Sequence, residues 1–398
     1  MRTSFSALAL SFFLTAFSGA HTFAGNPQKD QAKIDSLCQA TQLHFNQGRF
    51  SECIAIYQDL LKKYKFPAQT RKGLAREIKA IALLDGDYQT YCLYADKDNS
   101  TKESRAFYKI LAKLPARQFV RPDHDVTIPF YADSIFSESG DLLGCQIKIS
   151  GRIGGMEERF TLDNGTTLFN LASESFARSH GIRPVGAETK ILGPTGESTT
   201  WIGIADSLSV GELTFQNILF SVVPDNARDA NPIKNSVILG SSFLRLIGEM
   251  RFDNKAHTIC FPTQYQERPS NLTVDGSDYH SIKGTFLGDP LVFHLDLGAS
   301  SSSLNATYFM EHKDDIRKKY KAQSSSVSGL GGSRAYTAYI VPNPEIFIGD
   351  ARFAPCVLII RTISFSDIPG THGRLGTDFF LSFDKVVFNL QRLYLYGE

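Results

Sequence analysis

The spacing of apolar positions divides the chain into two parts. Between about Gln28 and Pro115, apolar residues recur every three or four positions, as they do on the buried face of a helix. From about Gly144 onward they alternate with polar residues, which is typical of half-buried strands. Three prolines from Pro115 to Pro129 separate the two patterns. We therefore predict a helical domain over residues 25–118, followed by a mainly β body.

The helical part contains two short interruptions, Gly48-Arg-Phe50 and Gly86-Asp-Tyr88, about 38 residues apart. Each would be the turn of a helix-turn-helix unit, and Lys102 to Leu114 would form a further helix. The stretch from Phe45 to Tyr57 resembles a tetratricopeptide repeat, in which a small residue at the turn precedes an aromatic residue and an amphipathic helix. That resemblance implies a concave face able to bind a peptide or protein partner. The alternative is a packing domain that braces the rest of the chain.

The β body contains an internal repeat. Phe160–Phe169 reads F-T-L-D-N-G-T-T-L-F, and Phe293–Ser301 reads F-H-L-D-L-G-A-S-S. Each copy is followed, roughly 75 to 80 residues later, by an apolar-glycine element, Val237–Leu244 or Arg374–Leu381. A repeat of this length predicts one domain plan used twice, so that each lobe brings one aspartate to a shared cleft.

We place lobe 1 at residues 119–262 and lobe 2 at residues 263–398. The period-two pattern predicts strands through most of both lobes. Only one short helix is expected in each, around residues 172–180 and 306–320.

A strand ending in Asp-x-Gly, paired with a distal Leu-Gly element, resembles the pepsin/retropepsin class of aspartic proteases. The resemblance extends from about Gly144 to the C terminus. It implies a mainly β, bilobal double β-barrel behind the helical domain, and an endopeptidase that cleaves polypeptides without metal or cofactor. Asp163 and Asp296 would form the catalytic pair, sharing one proton and activating a water molecule. Gly165 and Gly298 would let the backbone turn and closely approach its partner loop.

The same resemblance implies glycine-rich hairpins that close over the substrate. In lobe 1 these are Gly193 and Gly196, followed by Trp201. In lobe 2 they are Gly331 and Gly332. These five residues are our candidates for substrate binding, since such tips can move to admit a peptide. The alternative is two ordinary hairpin turns whose aromatic neighbours pack on the sheet.

The chain departs from the family pattern directly after each aspartate. The family places Thr or Ser there, whereas this chain has Asn164 and Leu297. Asn can still donate and accept hydrogen bonds, but Leu cannot. These departures leave open a second function, that of a catalytically inactive protein that binds peptides or proteins on the same fold.

Composition and the N terminus narrow the setting. Forty-two basic and 41 acidic residues give a net charge of +1, which argues against a nucleic-acid partner. Residues 1–24 have the features of a signal peptide: Arg2, an apolar run over residues 7–17, and small residues before Ala24. No later run is long enough to cross a membrane. We expect an exported protein, periplasmic or secreted, with no integral membrane segment after signal removal.

The chain has six cysteines. An oxidising compartment permits disulfides, and Cys38 and Cys53 would lie on neighbouring helices, so we predict that they pair. The alternative is that the cysteines are buried thiols. No two of them have the close spacing of a zinc site.

Overall fold

The computed structural model describes residues 27–95, 100–136, 142–193, 196–225, 237–329, 332–355, 357–365 and 367–398. The predicted signal peptide lies outside these residues. The described helices are α1 (Pro27–Asn46), α2 (Phe50–Lys63), α3 (Ala68–Asp85), α4 (Tyr88–Ala95), α5 (Lys102–Leu111), α6 (Glu174–Ser179), α7 (Ser241–Ile247), α8 (Ala306–Glu311), α9 (Lys313–Lys319) and α10 (Thr377–Leu381).

Helices α1 to α5 form the N-terminal part, and each packs against the next. The turn between α1 and α2 is held by Phe45 and Phe50, whose ring centroids lie 5.4 Å apart. Gly48 in this turn has φ 69°, and a Cβ there would lie 1.9 Å from the carbonyl oxygen of Gln391. Only glycine fits, because the turn rests directly on the C-terminal segment. The helical region is confirmed, while its tetratricopeptide character stays a prediction.

The predicted disulfide between Cys38 and Cys53 is wrong, since both thiols are free. The Sγ atom of Cys53 lies 3.4 Å from the carbonyl oxygen of Thr41 and 3.1 Å from that of Arg49. Burial raises the pKa of Cys53 to about 12. A buried thiol hydrogen-bonded to backbone carbonyls behaves as a packing residue rather than a reactive one.

The remaining chain is mainly β, as expected. Its strands are β1 (Gln118–Val120), β2 (Val126–Phe136), β3 (Leu142–Ile153), β4 (Met156–Leu162), β5 (Asn170–Ser173), β6 (Arg183–Leu192), β7 (Glu197–Val210), β8 (Leu213–Val223), β9 (Val237–Leu239), β10 (Glu249–Asp253), β11 (Thr258–Phe261), β12 (Leu272–Val274), β13 (His280–Phe286), β14 (Asp289–Leu295), β15 (Ser303–Leu304), β16 (Ala322–Gly329), β17 (Gly332–Pro342), β18 (Ile346–Ile348), β19 (Ala351–Phe353), β20 (Val357–Arg361), β21 (Gly373–Leu375), β22 (Lys385–Asn389) and β23 (Tyr394–Gly397).

Within the described ranges these strands form two sheets, of 13 and 10 strands. The first runs β23-β22-β10-β11-β2-β3-β4-β9-β5-β8-β7-β6, with β1 beside β8; the second runs β16-β17-β20-β15-β21-β14-β13-β18-β19, with β12 beside β13. Strand β22 pairs antiparallel with β10, Glu249 opposite Asn389. The last two strands of the chain therefore complete the sheet of its first half, and this pairing joins the two halves.

The internal repeat is visible in the pairing of equivalent strands. In the first sheet β4 runs parallel to β9, with Leu162 opposite Leu239. In the second, β14 runs parallel to β21, with Leu295 opposite Leu375. The strand that precedes each aspartate is thus paired with the strand of its own distal apolar-glycine element.

The expectation of one short helix in each lobe is wrong. Helix α7 begins directly after Gly240, and helix α10 begins directly after Gly376. The apolar runs after these glycines had no period-two pattern to mark them as strands. They are helical because one side of each short helix buries large side chains, Phe243 in α7 and Phe379 and Phe380 in α10.

One continuous cluster of buried apolar side chains includes residues of the helical part and of both sheets. Large aromatic residues such as Phe160, Phe215 and Phe293 are almost completely buried in it. Such burial is the main stabilising contribution to a fold of this size. None of the helices within the described ranges combines the length and the apolar character needed to span a membrane.

Candidate active site

Asp163 and Asp296 lie at equivalent positions, directly after the last residue of β4 and of β14. The backbone N–H of Asp163 donates to the carbonyl oxygen of Leu239 at 3.1 Å, and that of Asp296 donates to Leu375 at 3.0 Å. Each hydrogen bond ties the aspartate to its distal element. The two aspartates are therefore held on rigid strand ends rather than on free loops.

The two carboxylates face each other across glycines. A Cβ placed on Gly165 would lie 2.6 Å from Oδ1 of Asp296 and 3.0 Å from Oδ1 of Asp163. A Cβ on Gly298 would lie 2.4 Å from Oδ1 of Asp163. Any side chain at either position would collide with the carboxylates. The structure thus brings the four residues Asp163, Gly165, Asp296 and Gly298 together.

The inner oxygens of both carboxylates are held alike. The N–H of Gly165 donates to Oδ1 of Asp163 at 2.8 Å, and the N–H of Gly298 donates to Oδ1 of Asp296 at 3.0 Å. Backbone N–H groups that donate to a carboxylate favour its charged form. Both loops are therefore arranged to hold a carboxylate in one orientation.

The outer oxygens have different partners. Oδ2 of Asp163 accepts from the Thr166 hydroxyl at 2.8 Å. The equivalent residue in the second loop is Ala299, which has no hydroxyl, and Oδ2 of Asp296 instead accepts from Nη1 of Arg374 at 3.1 Å. One aspartate is thus held by a neutral donor and the other by a full positive charge.

Asn164 connects the two loops. Its Nδ2 donates to the carbonyl oxygen of Leu295 at 2.7 Å, and its Oδ1 accepts from the N–H of Leu297 at 2.9 Å. Asn164 and Leu297 are completely buried, and the carbonyl oxygen of Leu297 accepts from Thr377 Oγ1 at 2.9 Å. A single amide therefore supplies both a donor and an acceptor across the lobes. Leu297 has no side-chain hydroxyl, but its backbone N–H and its carbonyl oxygen are both hydrogen-bonded.

The two carboxylates differ strongly in acidity. Burial raises the pKa of Asp163 to about 7, and the negative charge of Asp296 adds to the rise. Burial acts in the same direction on Asp296, but the positive charge of Arg374 and the hydrogen bonds to Asp296 outweigh it, so its pKa is lowered. Because the groups interact directly, they titrate as a pair. Over acid to neutral pH the pair carries one proton, mainly on Asp163.

The lobe 1 hairpin forms at the position predicted from the sequence. Its strands are β6 and β7, and the N–H of Gly193 donates to the carbonyl oxygen of Gly196 at 2.8 Å. Trp201 lies on β7 opposite Val222 and packs, partly exposed, against the apolar core. The substrate-binding role of Gly193, Gly196 and Trp201 stays a prediction.

The lobe 2 hairpin consists of β16 and β17, with Gly332 opposite Gly329 at its end. Gly331 lies outside the described residues. Tyr339, farther along β17, stacks on Phe309 with ring centroids 5.6 Å apart. The role of Gly331 and Gly332 in substrate binding also stays a prediction.

Sequence reasoning missed Arg374. It lies opposite His294 on the parallel strand pair β14–β21, where the first lobe has Ile238 opposite Thr161. Aligning the two repeats residue by residue would have shown an arginine in the place of an apolar residue. An arginine at this position places a positive charge next to Asp296, and this difference between the repeats was the sequence signal for its role.

Comparison with known proteins finds one matching family and several similar solved structures. The sequence profile of the aspartyl protease family matches residues 149–243. The comparison with curated proteins found no match to this chain. Among solved structures, the aspartic proteinase from Irpex lacteus is 10% identical, with a TM-score of 0.41, and the match covers 68% of this chain and 96% of that one.

Two further solved structures are similar. Basic 7S globulin from soybean is 11% identical with a TM-score of 0.39, covering 69% of this chain and 94% of that one. A retropepsin-like aspartic protease from Rickettsia conorii is 15% identical with a TM-score of 0.23, covering 36% and 92%. The segment that matches the family profile contains Asp163, Asn164 and Gly165 and extends to Phe243. The resemblance of this chain to the aspartic proteases, first inferred from its repeated motifs, is thereby confirmed.

Proposed function

We propose that the chain is an aspartic endopeptidase that cleaves polypeptides with a water molecule bound between Asp163 and Asp296. One observation carries this proposal: the two carboxylates face each other across Gly165 and Gly298, each held by the backbone of its own loop. The amide of Asn164 supports the arrangement, since it hydrogen-bonds to the second loop on both sides of Asp296.

Because the two aspartates differ in pKa, one acts as the base and the other as the acid. Asp296, ionised beside Arg374, accepts a proton from the water as it attacks the scissile carbonyl carbon. Asp163 gives its proton to the carbonyl oxygen, which forms a tetrahedral diol. Asp296 then gives this proton to the leaving amine as the C–N bond breaks, while Asp163 takes a proton back from one hydroxyl of the diol, whose oxygen becomes the carbonyl oxygen of the new carboxylic acid. No enzyme–substrate bond forms, and the two carboxylates end with one proton between them, as they began.

This mechanism requires the singly protonated pair and therefore predicts a pH profile. Activity should fall on the alkaline side near pH 7, because Asp163 loses its proton there and both carboxylates are then charged. The measurement is cleavage of a diverse peptide library between about pH 3 and pH 8 by the mature protein. Absence of cleavage at every pH would contradict the proposal.

Arg374→Met should move the acid limb of the profile to higher pH. In the native protein Arg374 keeps the pKa of Asp296 below its ordinary value, so Asp296 stays ionised in acid. Without the arginine, burial raises that pKa, and Asp296 takes up a proton at a higher pH than before. The measurement is kcat/KM against pH. Arg352→Met, at an exposed arginine paired with Glu345, is the control and should leave both limbs in place. An unmoved acid limb in the Arg374 variant would contradict the assignment of Asp296 as the ionised member.

The second candidate function is peptide binding without catalysis. It is favoured by Arg374, which engages the outer oxygen of Asp296 and weakens it as a base. In that case the parent protein cleaves nothing, and a variant carrying Asp163→Asn and Asp296→Asn binds peptides as tightly as the parent does.

We also propose that residues 1–24 direct export and that the helical part braces the catalytic lobes. The brace is supported by Phe107 of α5, whose ring lies 6.3 Å from that of Phe169, a few residues after Asp163. Leu111 of α5 belongs to the same apolar cluster as Phe169 and Ala187 of β6. Since this face of α5 is covered by lobe 1, a partner that binds the helical part would have to use another face.

A further inference from the structure

The lobe 2 side of the site carries a pair of neighbouring arginines. Arg374 pairs with Asp296 at 3.1 Å, and Arg361, at the end of β20, pairs with Asp367 at 2.5 Å. Burial lowers the pKa of Arg361, and the positive charge of Arg374 lowers it further. Strand β15 lies between β20 and β21, and its Ser303 stands opposite both Ile359 and Arg374, so the two arginines lie on the same part of one sheet.

A third arginine extends this group toward the lobe 2 hairpin. Arg334 is exposed on β17, and its guanidinium carbon lies 5.6 Å from the centre of the Phe365 ring. The same ring has Arg361 at 5.8 Å and Tyr336, also on β17, at 4.9 Å in an edge-to-face contact. Phe365 thus joins the hairpin to the arginine pair, and a row of cations runs from Asp296 to β17.

Positive charge exceeds negative charge in this row. Three guanidinium groups have two carboxylate partners, Asp296 and Asp367, and Arg334 forms no ion pair with any residue that the structure describes. The Nε atoms of Arg361 and Arg374 are buried and have no hydrogen-bond acceptor within the described ranges. Buried donors without acceptors are costly, so the two arginines are not fully compensated by their own surroundings.

The equivalent side of lobe 1 is apolar. Ile238 stands in the place of Arg374, and it packs with Ile191 of β6 against Leu171 and Val223. The two halves of the site therefore present opposite chemistry to an extended peptide. One offers hydrocarbon, and the other offers an unbalanced positive charge.

From this asymmetry we propose that the site selects peptides with an acidic side chain on the lobe 2 side of the scissile bond and an apolar side chain on the lobe 1 side. The proposal rests on the endopeptidase function for its readout by cleavage, but the same selectivity governs binding alone. Arg334 is its specificity-determining residue. A substrate carboxylate that approaches β17 meets the guanidinium of Arg334, which has no competing anion among the described residues. The arginine pair Arg361 and Arg374 lies nearby and adds to the positive charge.

The test compares pairs of peptides that differ only by Glu or Gln on one side of the cleaved bond. The parent should favour the Glu peptide in kcat/KM by about three- to tenfold at low salt, with a smaller ratio at high salt. Arg334→Gln should bring that ratio close to one, because it lowers kcat/KM for the Glu peptide by more than it lowers that for the Gln peptide. Arg352→Gln is the matched control, an exposed arginine of the same lobe that pairs with Glu345, and it should retain the preference.

Two results would overturn the proposal. One is equal treatment of Glu and Gln peptides by the parent, and the other is a preference that survives in the Arg334 variant. If the parent cleaves nothing, the catalytic function fails, and the same peptide pairs are then compared by equilibrium binding to the intact parent. A Glu preference that Arg334→Gln removes would support the selectivity without catalysis, and equal affinities would reject it.

Discussion

Asp163→Asn and Asp296→Asn should each lower kcat/KM for peptide cleavage by about a thousandfold or more. An amide at position 163 is a much weaker acid than the carboxyl group that protonates the scissile carbonyl in the proposed mechanism. An amide at position 296 cannot accept the proton of the attacking water. The backbone donors to the two inner oxygens remain in both variants, so the loss reports proton transfer rather than collapse of the loops.

The measurement pairs initial cleavage rates with thermal unfolding of each variant. Asp384→Asn is the control, because Asp384 is an exposed carboxylate that pairs with Lys255 away from the site, and its removal should leave the rate within about twofold. Full cleavage by either dyad variant, with the fold intact, would show that the aspartates do not act as a pair. Loss of cleavage in both variants, with the fold intact, is the expected result.

Asp278→Ala should lower the free energy of unfolding by about 3–5 kcal/mol. Asp278 is 1% exposed and accepts hydrogen bonds from Ser241 and Arg245, both on helix α7. Arg245 is itself buried, donates to the carbonyl oxygen of Leu390 at 3.0 Å, and lies 5.0 Å from the centre of the Phe50 ring. Without Asp278, its positive charge stays buried and loses the carboxylate with which it forms an ion pair.

Because of where this ion pair lies, its loss should destabilise the whole molecule rather than one element. Asp278 lies just before β13, Arg245 belongs to lobe 1, and Phe50 belongs to the helical part, so one buried contact joins all three. The measurement is unfolding by denaturant. The double variant Asp278→Ala with Arg245→Met should recover much of the loss, because an apolar replacement of the whole pair removes the unpaired charge.

A control at the surface separates burial from charge pairing. Asp206→Ala removes an anion from a pair with Arg183 in which both side chains are exposed, and it should cost less than about 1 kcal/mol. A loss of that size for Asp278→Ala would contradict the interpretation, as would a double variant no more stable than the single one.

Local patterns of the sequence were enough to predict much of the architecture. The change from a three-to-four period to a period of two separated helices from strands, because each period is set by the geometry of its own backbone. The repeated Asp-x-Gly motif identified Asp163 and Asp296, and it identified Gly165 and Gly298 as positions of close approach. A tight turn after a strand is determined by a few consecutive residues, so it can be predicted without knowledge of the rest of the chain.

What the sequence did not disclose depends on residues far apart in the chain. Asn164 was read as a departure from the family, yet its amide holds the other lobe through Leu295 and Leu297, more than a hundred residues away. The predicted Cys38–Cys53 disulfide is absent because helix packing directs the Cys53 thiol toward backbone carbonyl oxygens instead. The runs after Gly240 and Gly376 became helices because of the surfaces they cover.

Arg374 shows the same division within the site. Its place in the repeat is written in the sequence, but its ion pair with Asp296 exists only because β21 lies beside β14. That pairing lowers the pKa of one aspartate while burial raises the pKa of the other. The sequence by itself determined that two carboxylates would meet. Which of them holds the proton was decided by the fold, because acidity depends on the charges and the solvent that the tertiary structure brings to or removes from each group.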